Sequence, residues 1–112
     1  NDRMLIIGGH TYSAGDSISQ IGTNTTHYIT ITSTGNSTDF GDLTVGRSNP
    51  GTFSNGVNER AVAAGGASYP SSTWTDSNVL DYFTINSAGN ATDFGDTTGL
   101  GHQRGGVSDA QA

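Results

Sequence analysis

His27–Val45 reads HYITITSTGNSTDFGDLTV, and Asp81–Gly99 reads DYFTINSAGNATDFGDTTG. Tyr28 matches Tyr82, Gly35 matches Gly89, and TDFGD at 38–42 returns at 92–96, an offset of 54. Two further landmarks return with an offset of 57. Arg3 and Arg60 each open an apolar run that ends in Gly-Gly, and Arg47 aligns with Arg104. A period of this size marks one supersecondary unit, too small to bury its own faces and built to stack on neighbours. The chain therefore reads as a single repeat domain over 1–112. Repeat one covers about 3–59 and repeat two about 60–112, in circular register: the end of the second copy leads back into the start of the first.

Between turn signals, the apolar residues form short β-type runs and never recur at helical spacing. Met4-Leu5-Ile6-Ile7 is a continuous apolar run, as expected of a strand covered on both faces, and Ala61-Val62-Ala63-Ala64 is its counterpart. Tyr28–Thr32 and Tyr82–Ile85 alternate with period two. The stretches 33–36 and 87–90 supply turn residues, and a strand carrying Phe40 or Phe94 follows each. A fourth strand is expected at Thr52-Phe53-Ser54, running into an Asn55-Gly56 turn, with Gly105–Ala112 as its second copy. Bulky Met4–Ile7 against small Ala61–Ala64 suggests large-on-small packing between successive units.

Composition points the same way. Only 31% of the 112 residues are hydrophobic and 17 are Gly. Ordering a chain costs roughly 1–2 kcal/mol per residue in backbone entropy. Help from oligomerisation or from further repeats in a longer parent chain is therefore expected. Ten acidic residues against four arginines give a formal charge of −6. That leaves no basic patch for nucleic acid and disfavours anionic membrane surfaces. With no cysteine there is no disulfide frame, thiolate metal site or cysteine nucleophile.

A strand ending in Gly-Gly, a Tyr-bearing strand, a short turn, another strand and an Arg before the next unit resembles the kelch-type β-propeller blade. Gly8-Gly9 and Gly65-Gly66, Tyr28 and Tyr82, and Arg47 and Arg104 carry the likeness. Where kelch blades have a Trp on the last strand, this chain has Phe40 and Phe94, set further beyond the Tyr. The resemblance implies an all-β propeller whose ring, typically of 4–8 blades, is completed by other copies: three chains give six blades and four give eight. A stacked β-solenoid is the alternative. In wording, DYxTIxSxGNATDFGD is similar to repeat arrays in tail-fibre and other structural proteins of marine bacteriophages. That likeness implies a place on a virion or extracellular surface and a role in host adhesion.

TDFGD is not a kinase motif, because the chain is short, has no lysine and carries it twice. Asp39 and Asp42, or Asp93 and Asp96, could offer oxygens to calcium only if the loop added more ligands. The reading preferred here is a tight turn capped by Asp, with Phe in the core. His10, His27 and His102 share no repeat position and no metal-ligand spacing. No GxSxG elbow is present, and the only Glu is Glu59. No catalytic residue, metal or cofactor is assigned, and the chain is read as non-enzymatic.

The two units differ between Gly9 and Tyr28 against Gly66 and Tyr82, and between Phe40 and Arg47 against Phe94 and Arg104. In an up-and-down blade both connections emerge on one face, where binding residues usually lie. Those loops hold His10, Tyr12, Asp16, Tyr69, Trp74, Asp76, His102 and Gln103. An aromatic ring beside polar groups suits a sugar, with the ring on its apolar face. Trp74, Tyr69, Tyr12, His10, Asp76 and His102 are thus the candidate glycan site. The expected function is a structural and adhesion module. A purely structural assembly repeat and a sugar-processing propeller enzyme are the alternatives.

Overall fold

Period-two alternation places successive side chains on opposite faces, and the computed structural model forms a strand at each such run. It describes residues 2–12, 15, 20–55, 59–68, 73, 75–102 and 105–106. In chain order the strands are β1 (Arg3–Ile7), β2 (His10–Tyr12), β3 (Gln20–Gly22), β4 (Thr25–Thr30), β5 (Thr38–Asp42) and β6 (Gly51–Asn55). They continue with β7 (Arg60–Ala64), β8 (Ala67–Ser68), β9 (Thr75–Asp76), β10 (Val79–Thr84) and β11 (Thr92–Asp96). The fold is all-β, with no helix among the described residues. Every strand pair is antiparallel. This is the pairing of meanders, not of stacked solenoid coils.

One sheet has the order β1-β4-β5 and a second has β11-β10-β7-β6, while β2-β3 and β8-β9 form two small hairpins. The strand expected around Thr52-Phe53-Ser54 exists, but it opens the second sheet instead of closing the first. Gly51–Asn55 pairs with Arg60–Ala64. The matching place beside β1 is unfilled by any described strand. There a groove of about 330 Å³ runs past Arg3, Met4, Leu5, Thr52, Phe53 and Ser54. The second-copy counterpart expected at 105–112 lies outside the described residues from 107 onward.

The two units repeat down to single hydrogen bonds. Leu43 N–H donates to Asn24 O at 2.7 Å, and Thr97 N–H donates to Asn78 O at 2.7 Å. Ile31 N–H donates to Asp2 O and Ile85 N–H to Glu59 O, both at 2.7 Å. Both Tyr-strand/Phe-strand pairs shift register at the same place, between Thr26 and His27 and between Leu80 and Asp81. This β-bulge leaves Phe40 and Phe94 as the extra residues of their strands. TDFGD is therefore a bulged strand, not the capped turn that its composition suggested, although Asp93 Oδ1 does accept from Gly95 N–H at 3.1 Å.

The same comparison corrects one alignment. Arg47 N–H donates to Thr23 O and Arg47 O accepts from Gly9 N–H. In the second unit Gly101 N–H donates to Ser77 O, and Gly101 O accepts from Gly66 N–H. Gly101, not Arg104, is thus the structural counterpart of Arg47. The connection after β11 runs to the same point as the one after β5, so the apparent length difference there disappears.

The sheets pack face to face. Phe40, Leu43, Ala63 and Phe83 are buried together, and Leu5, Ile7, Tyr28 and Ala91 pack against them. Tyr28 meets Phe40 edge-on at 5.8 Å, and Phe40 meets Phe83 edge-on at 5.7 Å. Edge-to-face pairs add about 0.5–1.5 kcal/mol each beyond their buried area. Bulky Leu5 and Ile7 lie against a cluster that includes Ala63, the large-on-small arrangement expected from the repeat. The expectation of a β1 covered on both faces is not met within this chain. Met4 is 52% and Ile6 44% exposed on the opposite face.

Gly-Gly turns each unit out of its sheet and into its small hairpin. Gly65 and Gly66 have φ of +63° and +111°, values that an L side chain rarely adopts. A Cβ at Gly66 would also stand 2.8 Å from Ser48 O and 3.1 Å from Arg47 Cγ. Gly66→Ala is expected to cost about 1–3 kcal/mol. Gly89→Ala, where a Cβ meets nothing within 4 Å, should be close to neutral. Urea unfolding of both variants compares the two.

Candidate functional site

The extra residues between Gly-Gly and the Tyr strand fold into the β2-β3 and β8-β9 hairpins, and β3 lies beside β8. The two hairpins are therefore neighbours. On the first, His10 and Tyr12 lie on β2, both exposed, with rings edge-on at 5.6 Å. They point to the same side because residues two apart on a strand share a face. On the second, Asp76 of β9 shares a 2.7 Å hydrogen bond with His102 Nδ1, both groups about a third exposed. Trp74, Tyr69, Asp16 and Gln103 lie outside the described residues. Of the six candidate glycan residues, four are thus placed: His10 with Tyr12 on β2, and Asp76 of β9 with His102 of the segment after β11.

A second group of polar residues was not singled out by sequence reasoning. Arg47 and Asp81 are 1% and 0% exposed, and Arg47 Nη1 stands 2.9 Å from Asp81 Oδ2. Arg47 also donates to Val45 O at 3.1 Å and to Ala63 O at 3.3 Å. Asp81 accepts from the Thr44 hydroxyl at 2.7 Å and from Thr44 N–H at 3.2 Å. Arg47 Nε has no hydrogen-bond partner. The pair joins the segment after β5 in the first unit to β10 in the second. Such a pair pins two surfaces in one register, because separating them would strand a buried charge. The available signal in the sequence was an Asp at 81, beside the repeated Tyr, where the first unit has His27.

The third group lies where the first unit grips the second. Arg3 Nη1 donates to Ile85 O at 3.0 Å while its guanidinium sits 4.7 Å from the centre of the Tyr28 ring. Gly89 N–H donates to Phe40 O at 2.7 Å, and Ala91 N–H donates to Asp42 O at 2.8 Å. Asp42 N–H donates to Asn90 Oδ1 at 3.1 Å. The turn of unit two thus lies along the free edge of β5. Gly41 (φ +145°) permits this approach, because a Cβ there would stand 2.2 Å from Gly89 O.

Chemically, the hairpin end offers aromatic and hydrogen-bonding groups, while the inter-unit contacts offer strand edges and apolar faces. Among the described residues no three His, Cys, Asp or Glu side chains are grouped to hold a metal ion, and no helix is long and apolar enough to cross a membrane. No protein-family model matches the chain, and no curated protein matches its sequence significantly.

Proposed function

We propose that this chain is a non-enzymatic structural module: two kelch-like blades that complete a propeller with other copies and present one loop face outward. The observation that carries this reading is the polarity of the inter-unit contact. Unit one uses its Tyr28/Phe40 face and its β5 edge, whereas unit two uses its Ala63/Phe83 face and its 89–91 turn. The contact is head-to-tail, so each unit keeps one face for a further neighbour. Phe40 is 2% exposed but its twin Phe94 is 53% exposed. Met4 and Ile6 are exposed where their counterparts Ala61 and Ala63 are buried. Heterologous contacts of this kind close into rings or continue as filaments.

The likeness to phage structural repeats suggests a virion or extracellular surface as the place of action. The hairpin end, with His10, Tyr12, Asp76 and His102, is the face offered to a glycan or surface polymer. Light scattering of the purified chain should give a trimer or tetramer. A stable monomer at micromolar concentration would remove the propeller reading. A glycan array on the assembled protein should show binding that Trp74→Ala abolishes. An assembly that binds no glycan would leave the purely structural repeat. Release of reducing ends from a polysaccharide would instead point to a sugar-processing enzyme.

A further inference from the structure

The geometry points to a specific docking surface for a second copy of this chain: the 35–37 turn of one copy clasps the β11 edge of the next. The inference rests on the head-to-tail assembly proposed above and names the atoms that make it. The contact between the two units of one chain is its template.

Each group in that internal contact has a repeat counterpart; among these, Phe94, Ile31 and the 35–37 turn are exposed, and Val62 and Tyr82 are half-buried. Gly41, pressed against Gly89, corresponds to Gly95, which has φ of +125° and open space where a Cβ would point. The backbone at Gly95 thus keeps the conformation that admits a neighbouring turn, with no turn among the described residues in place. Phe94 still packs edge-on with Tyr82 at 5.7 Å, as Phe40 does with Tyr28, but it lacks the cover that Phe83 gives Phe40. Arg60 sits 4.5 Å from the centre of the Tyr82 ring, as Arg3 sits over Tyr28. The internal acceptor of Arg3 is Ile85 O, and the counterpart residue, Ile31, is 63% exposed. The turn residues Gly35, Asn36 and Ser37 are all exposed.

Transferring the internal bonds by the repeat gives the intermolecular set. Gly35 N–H donates to Phe94 O, and Ser37 N–H donates to Asp96 O. Asp96 N–H donates to Asn36 Oδ1, and Arg60 donates to Ile31 O. Behind them, Met4, Ile6 and Ile29 of the incoming copy cover Val62, Tyr82 and Phe94. The buried ion pair is not transferred, and both of its members are missing together. Asp81 corresponds to His27 and Arg47 to Gly101. The second contact therefore buries no uncompensated carboxylate or guanidinium at those positions.

The absence of native cysteine makes the test direct. Asn36→Cys and Asp96→Cys are made in separate chains, mixed, and treated with a short bis-maleimide. A chain carrying both Asp42→Cys and Asn90→Cys serves as the internal control. The mixture should give covalent dimers at least fivefold above either variant alone. A solution oligomer whose Asn36→Cys chains cross-link only to one another would overturn the clasp while leaving the structural-module reading intact. A monomer with no cross-linking would overturn both. As a second readout, Asn36→Ala should weaken self-association at least fivefold without lowering the melting temperature of the dilute chain. Asn90→Ala should lower that temperature. Equal effects of the two substitutions on monomer melting would show that the 35–37 turn is needed within the chain and not between chains.

Discussion

Asp81→Ala is expected to destabilise the chain by about 3–5 kcal/mol, the cost of stranding one member of a buried ion pair. Arg47 would keep its bonds to Val45 O and Ala63 O but lose its counter-ion, with Nε already unpartnered. The Thr44 N–H and hydroxyl would lose their acceptor as well. Domains of this kind are stable by only about 5–15 kcal/mol, so a loss of this size takes up much of the margin. The double variant Arg47→Met/Asp81→Leu should recover most of it, because replacing both charges with apolar groups of similar volume removes the desolvation cost together with the attraction. Urea unfolding of Arg47→Met, Asp81→Leu and the double variant closes the cycle. If Asp81→Ala alone unfolds at the wild-type midpoint, the pair contributes nothing to joining the units.

Phe40→Ala should cost about 3–5 kcal/mol, in the range for removing a buried aromatic side chain. Phe40 touches both sheets and forms edge-on pairs with Tyr28 and Phe83. Phe94→Ala deletes the same side chain from the same TDFGD pentapeptide. In the dilute, unassembled chain it should cost less than about 1 kcal/mol, since Phe94 packs edge-on with Tyr82 but is half in water. The balance should reverse in assembly, where Phe94→Ala weakens self-association because the face it covers in the neighbouring copy is lost. Thermal unfolding across a hundredfold range of protein concentration separates the two effects. Phe40→Ala lowers the melting temperature at every concentration, whereas Phe94→Ala removes only its concentration dependence.

Much of the architecture was legible from local pattern. Tyr28–Thr32 and Tyr82–Ile85 alternate as strands must, and Gly-Gly marks where each unit leaves its sheet. The turn residues at 33–36 and 87–90 fall between the paired strands that they connect. Other features were misread for identifiable reasons. Asp and Gly in TDFGD suggested a turn because both favour positive φ, but the same property serves a bulge inside a strand. Arg104 was aligned with Arg47 by residue type, while the backbone bonds place Gly101 there. The strand at 51–55 was recognised, but a run of side chains does not say which neighbour it pairs with. The candidate glycan residues share a loop position in the repeat, and the hairpins that carry His10, Tyr12 and Asp76 lie beside each other. Convergence into a pocket depends on side-chain directions that no spacing encodes.

The amino-acid order alone determined the repeat, the all-β character and the main strands of each unit, because these follow from backbone preference and from the alternation of side chains along a single strand; the short hairpins β2-β3 and β8-β9 were read as loops. Only the tertiary structure decided what each surface meets. Two TDFGD segments with one sequence and one bulge end with Phe40 2% and Phe94 53% exposed. Burial belongs to a pair of surfaces, and the second surface for Phe40 comes from the other unit, from residues such as Ala63 and Phe83, which no local pattern within the pentapeptide contains.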